Sequence, residues 1–139
     1  MSDPLLASLK SAASGLFAQS ARMRVVSENI ANASTTGKTP GADPYQRKTI
    51  SFESVMDENA DVDVVQVDQI SRDKTPFESQ YMPGSAAADS NGMVKMPNVN
   101  MLVELADMRE ASRSYTANTQ VIKQVRELAS TTIDLMRTS

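Results

Sequence analysis

The stretch SENIANASTTGKTPGADPYQRK, residues 27–48, ends an otherwise strongly helical N-terminal segment. It reads as a helix end, then a polar loop rich in Asn, Thr, Gly and Pro, then the start of an extended segment. Everything before it has helical periodicity. Asp3 can accept from first-turn amides, and Pro4 suits the first helical position, where its missing N–H costs nothing. Leu5, Leu9, Ala12, Leu16, Gln19, Met23, Val26 and Ile30 then follow at alternating spacings of four and three. That is a coiled-coil seam with one polar interruption. A second apolar line, Leu6, Ala13, Phe17 and Val25, makes the surface wider than one partner helix covers. Ala, Ser and Gly crowd positions 7–21, so helices can approach closely on several sides.

Beyond the loop, the last third of the chain repeats the pattern. After MPNVN, with Asn98 or Asn100 as N-cap, come Met101, Leu105, Met108, Ser112 and Tyr115. The stripe then drifts to Val121, Val125 and Leu128, as 3.6 residues per turn requires of a strict heptad. Neither Gly nor Pro falls between 98 and 139, so one helix of about 55–60 Å is expected at 1.5 Å per residue.

Between the helices, YQRKTISFE (45–53), VDVVQVDQI (62–70) and PFESQYM (76–82) read as strands, the second with a bulge at Val64-Val65 and pairing with the third. PGSAAADSNG (83–92) reads as a loop closed by a tight Asn-Gly turn. The expected fold is therefore α+β: long N- and C-terminal helices packed as a coiled-coil-like pair, with a small antiparallel β-rich middle. Residues 1–34 and 98–139 would form one discontinuous helical core domain, and 35–97 a loop and β-rich segment.

Composition excludes more than it selects. The 139 residues contain no Cys, His or Trp, so there is no thiol nucleophile, imidazole base or usual zinc site. No phosphate-binding Gly-rich loop or nucleophile elbow is present, and the expectation is a non-enzyme without cofactor. The net charge of −3 argues against nucleic acid as the main partner. That charge is unevenly spread: residues 51–90 carry nine acidic and two basic side chains. This is either a solvated face or an acidic surface for a basic neighbour. Asp57, Asn59, Asp61 and Asp63 have the alternate spacing of a calcium loop, but Val62 stands where the loop needs Gly and Asp68 where it needs Glu. Nothing approaches a membrane-spanning apolar run. The N-terminal residues lack a secretory pattern, so export would use a route that reads no cleavable signal.

SGLFAQSARMRVVSENIANASTTG resembles the N-terminal signature of the flagellar axial protein family, an SGL-x-AQ helix followed by an N-x-ANA-x-T turn. DPYQRKTISF, YMPGSAAADSNGMVKMPNVN and ASRSYTANTQVIKQVRELASTTIDL are similar to segments of the basal-body rod branch of that family. Two departures are visible: Gln46 softens the basic pair that follows Pro-Tyr, and Lys38 replaces a Tyr common after the turn Gly. The resemblance implies a structural subunit of the proximal rod, a hollow drive shaft that transmits torque and conducts exported subunits. It implies location in the periplasm-spanning rod of the basal body, reached by the flagellar type III apparatus. The implied partners are copies of itself, the rod subunits FlgB, FlgF and FlgG, the rod-to-membrane-ring adaptor FliE, and the export apparatus. Leu5, Leu9, Leu16, Phe17, Met23, Val26, Ile30, Met101, Leu105, Met108, Tyr115, Val121, Val125 and Leu128 would form the helix-packing and assembly interface. FESVM, from Phe52 to Met56, resembles a short export signal; a packed strand end is the competing reading. The alternative from another class is a soluble helical-hairpin module that binds calcium or a partner.

Overall fold

The computed structural model describes residues 4–59 and 61–138. The chain runs α1 (Pro4–Ala31), β1 (Lys48–Asp57), β2 (Val62–Arg72), β3 (Glu78–Tyr81), β4 (Met93–Met96) and α2 (Met101–Thr138). Pro4 opens α1 as expected, whereas Asp3 lies outside the described residues. Asn100 caps α2: its Oδ1 accepts from the amides of Leu102 (3.0 Å) and Val103 (3.3 Å), while its carbonyl takes the first helical bond, from Glu104. The end of α1 is made by Asn32. Its side-chain amide donates to the Glu28 carbonyl (2.9 Å), which its own backbone N–H also reaches (3.1 Å), and its carbonyl then accepts from Thr35. Side chain and backbone compete for the last carbonyls, and the helix stops there.

The polypeptide divides into two compact units. One comprises residues 1–23, 51–69 and 109–139; the other comprises 24–50 and 70–108. In the first unit the buried apolar residues are Ala12, Ala18 and Ala111. Small side chains allow a close approach of backbone to side chain. A Cβ placed on Gly15 would lie 2.6 Å from Asn118 Nδ2, and Ser14 Oγ accepts from the Val65 amide at 3.1 Å. Gly15→Leu should therefore destabilise the chain by about 1–3 kcal/mol through overpacking. Adding Asn118→Ala should recover part of that loss. Equal chemical-denaturation midpoints for Gly15→Leu and the parent would show that this approach is not tight.

In the second unit the buried apolar residues are Val25, Val26, Ala87 and Val94. β3 and β4 pair antiparallel, with Glu78 opposite Met96 and Tyr81 opposite Met93. Asp89 shapes the turn between them: its Oδ1 accepts from the amides of Asn91 and Met93, and Gly92 closes it at φ +75°. A Cβ at Gly92 would also meet Tyr81 Cε2 at 2.8 Å, so glycine is required twice over. Gly41, at φ +74°, donates to the Ala87 carbonyl and ties the 35–45 loop to this hairpin.

Two parts of the expected architecture need correction. The middle is not one small antiparallel sheet but two separate two-stranded ones, β1 with β2 and β3 with β4. The Thr49–Ser71 hydroxyl pair and the Ser51 bond to the Gln69 carbonyl show that β1 and β2 run antiparallel. Thus 62–72 pairs backward with β1, and β3 takes MVKM, a segment with no expected strand. Alternation identifies a strand but not its neighbour. Nor are the helices a coiled-coil-like pair with an apolar seam on both. On α1 the expected line is turned inward, with Ala12 and Val26 buried. On α2 burial instead follows Glu104 and Ala111, then the half-buried Asn118 and Val125, at intervals of seven. Met101, Leu105 and Tyr115 stay 39–43% exposed. Periodicity locates an apolar stripe; it does not say what covers it.

Candidate functional site

Asn29 and Glu104 are the two fully buried polar residues of the second unit, and both are completely partnered. Asn29 Nδ2 donates to the Lys48 carbonyl (2.9 Å) and to Glu104 Oε2 (3.1 Å). Its Oδ1 accepts from the Tyr45 hydroxyl (2.8 Å) and the Lys48 amide (2.9 Å). Both donors and both acceptor positions of the side chain are used. Glu104 Oε1 accepts from Arg47 Nε at 2.6 Å, and Arg47 Nη1 reaches Asp73 Oδ2 at 3.3 Å. Asn98 closes the other side, accepting from the Arg47 amide and donating to the carbonyls of Asp73 and Thr75. The two chain segments that leave and re-enter the helices are thereby tied to one buried amide and one buried carboxylate.

The electrostatics follow from this packing. Burial pushes the Tyr45 hydroxyl above its ordinary pKa, and the charges of Glu28 and Glu104 add to the effect. For Arg47, burial alone would weaken the charged form, but the Glu104 bond and charge, with Asp73 behind, outweigh it and raise the pKa. The Thr75 hydroxyl and amide, then Arg47, hold the Asp73 carboxyl below its ordinary value. A depressed carboxylate stabilises the fold above its unfolded pKa, about 3.9, and loses that contribution as pH falls through the folded value. Asp73→Asn should therefore be less stable than the parent at pH 7, with the difference shrinking toward pH 3, in urea unfolding at both pH values. A difference that grew on acidification would contradict the assignment.

None of this resembles a catalytic arrangement: the carboxylates are spent on Arg47, Asn29 and Thr75. Nor does the acidic turn gather ligands. Asp57 Oδ2 is held by Lys10 Nζ at 2.8 Å and its Oδ1 by the Asn59 amide. Among the described residues no group of three or more acidic, His or Cys side chains converges on a metal position.

The fourteen residues expected at the packing and assembly interface are dispersed in their exposure. Val26 is buried, while Leu5, Leu9, Leu16, Met23, Ile30, Met108 and Val125 are half-buried. Phe17 (78%), Met101, Leu105, Tyr115, Val121 and Leu128 (58%) are exposed. Phe52 and Met56 on β1 are also exposed, at 36% and 55%. No buried apolar side chain among the described residues is larger than Val, whereas large ones lie open along both helices. Sequence reading missed Asn29, Arg47 and Glu104 as a set. The one available signal was Asn29 inside the N-x-ANA-x-T turn.

Two helices carrying exposed apolar side chains flank two two-stranded ribbons, and comparison with known proteins gives the class. Residues 9–37 match the family described as flagella basal body rod protein, and residues 90–135 match the flagellar basal body rod FlgEFG protein C-terminal family. The flagellar basal-body rod protein FlgC of Agrobacterium fabrum is 59% identical over 99% of both chains. The FlgC proteins of Salmonella typhimurium (38%, covering 89% of this chain and 92% of the relative) and Bacillus subtilis (36%, covering 80% and 84%) are also similar. The chain belongs to the FlgC family of flagellar basal-body rod proteins. No helix of the described residues is long and apolar enough to cross a membrane.

Proposed function

We propose that this chain is a structural, non-catalytic subunit of the proximal rod, joining a hollow shaft through its terminal helices. The observation that supports this most directly is the open apolar surface of both helices in a member of the FlgC family: Phe17, Leu102, Leu128, Leu135 and Met136 are all more than half exposed. Such surface is normally covered in a working protein. In the assembled shaft, residues 1–34 and 98–139 would supply the helical core and 35–97 the β-rich outer segment. Its neighbours would be further copies, FlgB, FlgF, FlgG and FliE, within the periplasm-spanning rod. Delivery would be by the type III export apparatus without a cleavable signal.

Basal bodies purified from cells expressing a tagged chain should contain it, and cells lacking it should be non-motile. Its absence from purified basal bodies would overturn the proposal. Export is separable from assembly. The exposed Phe52 side chain is available to a receptor, so Phe52→Ala should abolish secretion while leaving helicity by circular dichroism unchanged. Normal secretion of the variant would leave Phe52 with a packing role alone.

A further inference from the structure

Within the first unit, the β1–β2 ribbon from 51 to 69 lies against α1 without adding to a core. None of its described residues is fully buried: Val55, Asp57, Val62 and Val64 are half-buried, and the others are exposed. A ribbon packed through its side chains would bury its valines, yet Val65 and Val67 stay 40% and 39% exposed. Open space runs beside it instead. A groove of about 490 Å³ is lined by Ala13, Phe17 and Ala18 of α1 and by Val64, Val65 and Val67 of β2. Val62, at the start of β2, borders a second groove of about 420 Å³ with Ala7, Ala12, Asn118 and Val121.

Polar contacts hold the ribbon where apolar ones do not. Lys10 Nζ meets Asp57 Oδ2 at 2.8 Å, and the Val65 amide donates to Ser14 Oγ at 3.1 Å. The ion pair is partly open to water, which keeps its contribution small. Lys10 and Ser14 are four residues apart, on one turn of α1, so both contacts arise from the same patch of helix. The ribbon itself carries six acidic side chains (Glu53, Asp57, Glu58, Asp61, Asp63 and Asp68) and no basic one between 51 and 69. Like charges on paired strands oppose the pairing, and a two-stranded ribbon is marginal in isolation. A segment with few buried contacts opens locally while the rest of the chain stays folded.

We propose that residues 51–69 form an autoinhibitory strap: it is latched to α1 in the free chain by the Lys10–Asp57 and Ser14–Val65 contacts, and it restrains self-association until the latch opens. The inference rests on the rod-subunit reading and adds to it a device that holds back premature packing. Beside the latch lie Ala13 and Ala18, whose small side chains admit a neighbouring backbone closely, next to Phe17, 78% exposed. The closed strap occupies that approach. A helix of another copy laid on this turn of α1 displaces both latch contacts at once, so packing and release are one event. The apparent affinity between copies then scales with the fraction of chains whose strap is open.

Hydrogen exchange on the purified full-length chain reads the latch directly, because the Val65 amide exchanges only when it leaves Ser14. Lys10→Gln should speed that exchange about threefold, the scale of a partly exposed ion pair. Lys10→Asp, which sets an acid against the acidic ribbon, should speed it about tenfold. Amides of α2 around Ala111 should exchange as in the parent, showing that the chain is still folded. Sedimentation should find each variant associating at a concentration lower by the same factor. Lys10→Asp combined with Asp57→Lys should bring both readouts back toward the parent. Unchanged Val65 exchange in both single variants would overturn the strap, as would a charge swap that recovers nothing. Faster exchange without tighter self-association would overturn its inhibitory role. These readouts are taken outside the cell, so their failure leaves the rod reading standing; absence of the chain from basal bodies refutes that reading whatever the strap does.

Discussion

Glu104→Ala should destabilise the chain by about 3 kcal/mol, at the lower end of the 3–5 kcal/mol seen when one member of a buried ion pair is removed. The carboxylate is fully buried and satisfies both Arg47 Nε and Asn29 Nδ2. Its loss leaves a guanidinium and an amide donor without their acceptor. Arg47 keeps Asp73 and is 21% exposed, which moderates the penalty and places it low in that range. Against a typical total of about 5–15 kcal/mol, this is a large fraction. Urea unfolding followed by circular dichroism is the measurement, with Glu104→Gln expected to fall between parent and Ala. A loss below about 1 kcal/mol for Glu104→Ala would mean that the buried cluster contributes specificity but little stability.

Val26→Pro should be more damaging still. Val26 is 3% exposed and lies well inside α1, five residues before its end. Proline removes the intrahelical hydrogen bond and clashes with the carbonyl four residues back, costing about 3 kcal/mol or more. The lost isopropyl packing adds to this, and Val26→Ala isolates that part. Under the proposed function, cells carrying Val26→Pro should be non-motile and lack completed rods, and Met108→Pro should do the same through α2. Motile cells with normal rods would show that α1 need not be continuous through residue 26.

What was legible in the chain beforehand followed from local chemistry. Pro4 opened a helix, and Asn100, one of two candidates, capped the other; both effects act within one turn. The loop after Ala31 was visible in its Asn, Thr, Gly and Pro. The strands were visible as far as side-chain alternation reaches, which is why β1 and β2 were found and the partner of β3 was not. MVKM is four residues long, too short for a pattern to stand out. The central cluster was hidden for a different reason. Glu104 sits in the first turn of α2, where an acid ordinarily serves the helix dipole in water. Its partners Asn29 and Arg47 are 75 and 57 residues away. Likewise the apolar stripe of α2 was correctly seen as apolar, but its exposure depends on which helix face the ribbon and α1 leave free.

Asn29 has a chemical consequence over the lifetime of the molecule. Every one of its hydrogen-bonding positions is in use, two as donor and two as acceptor. Hydrolysis of that one amide would give Asp, nearly unchanged in shape but with no donor. The new carboxylate would face Glu104 across the 3.1 Å that the amide once bridged, and the Lys48 carbonyl would lose its partner as well. Deamidation at this position would therefore act as a charge mutation arising without any change in the gene. Burial within a folded cluster shields the amide from that reaction, so the contacts that depend on Asn29 also preserve it.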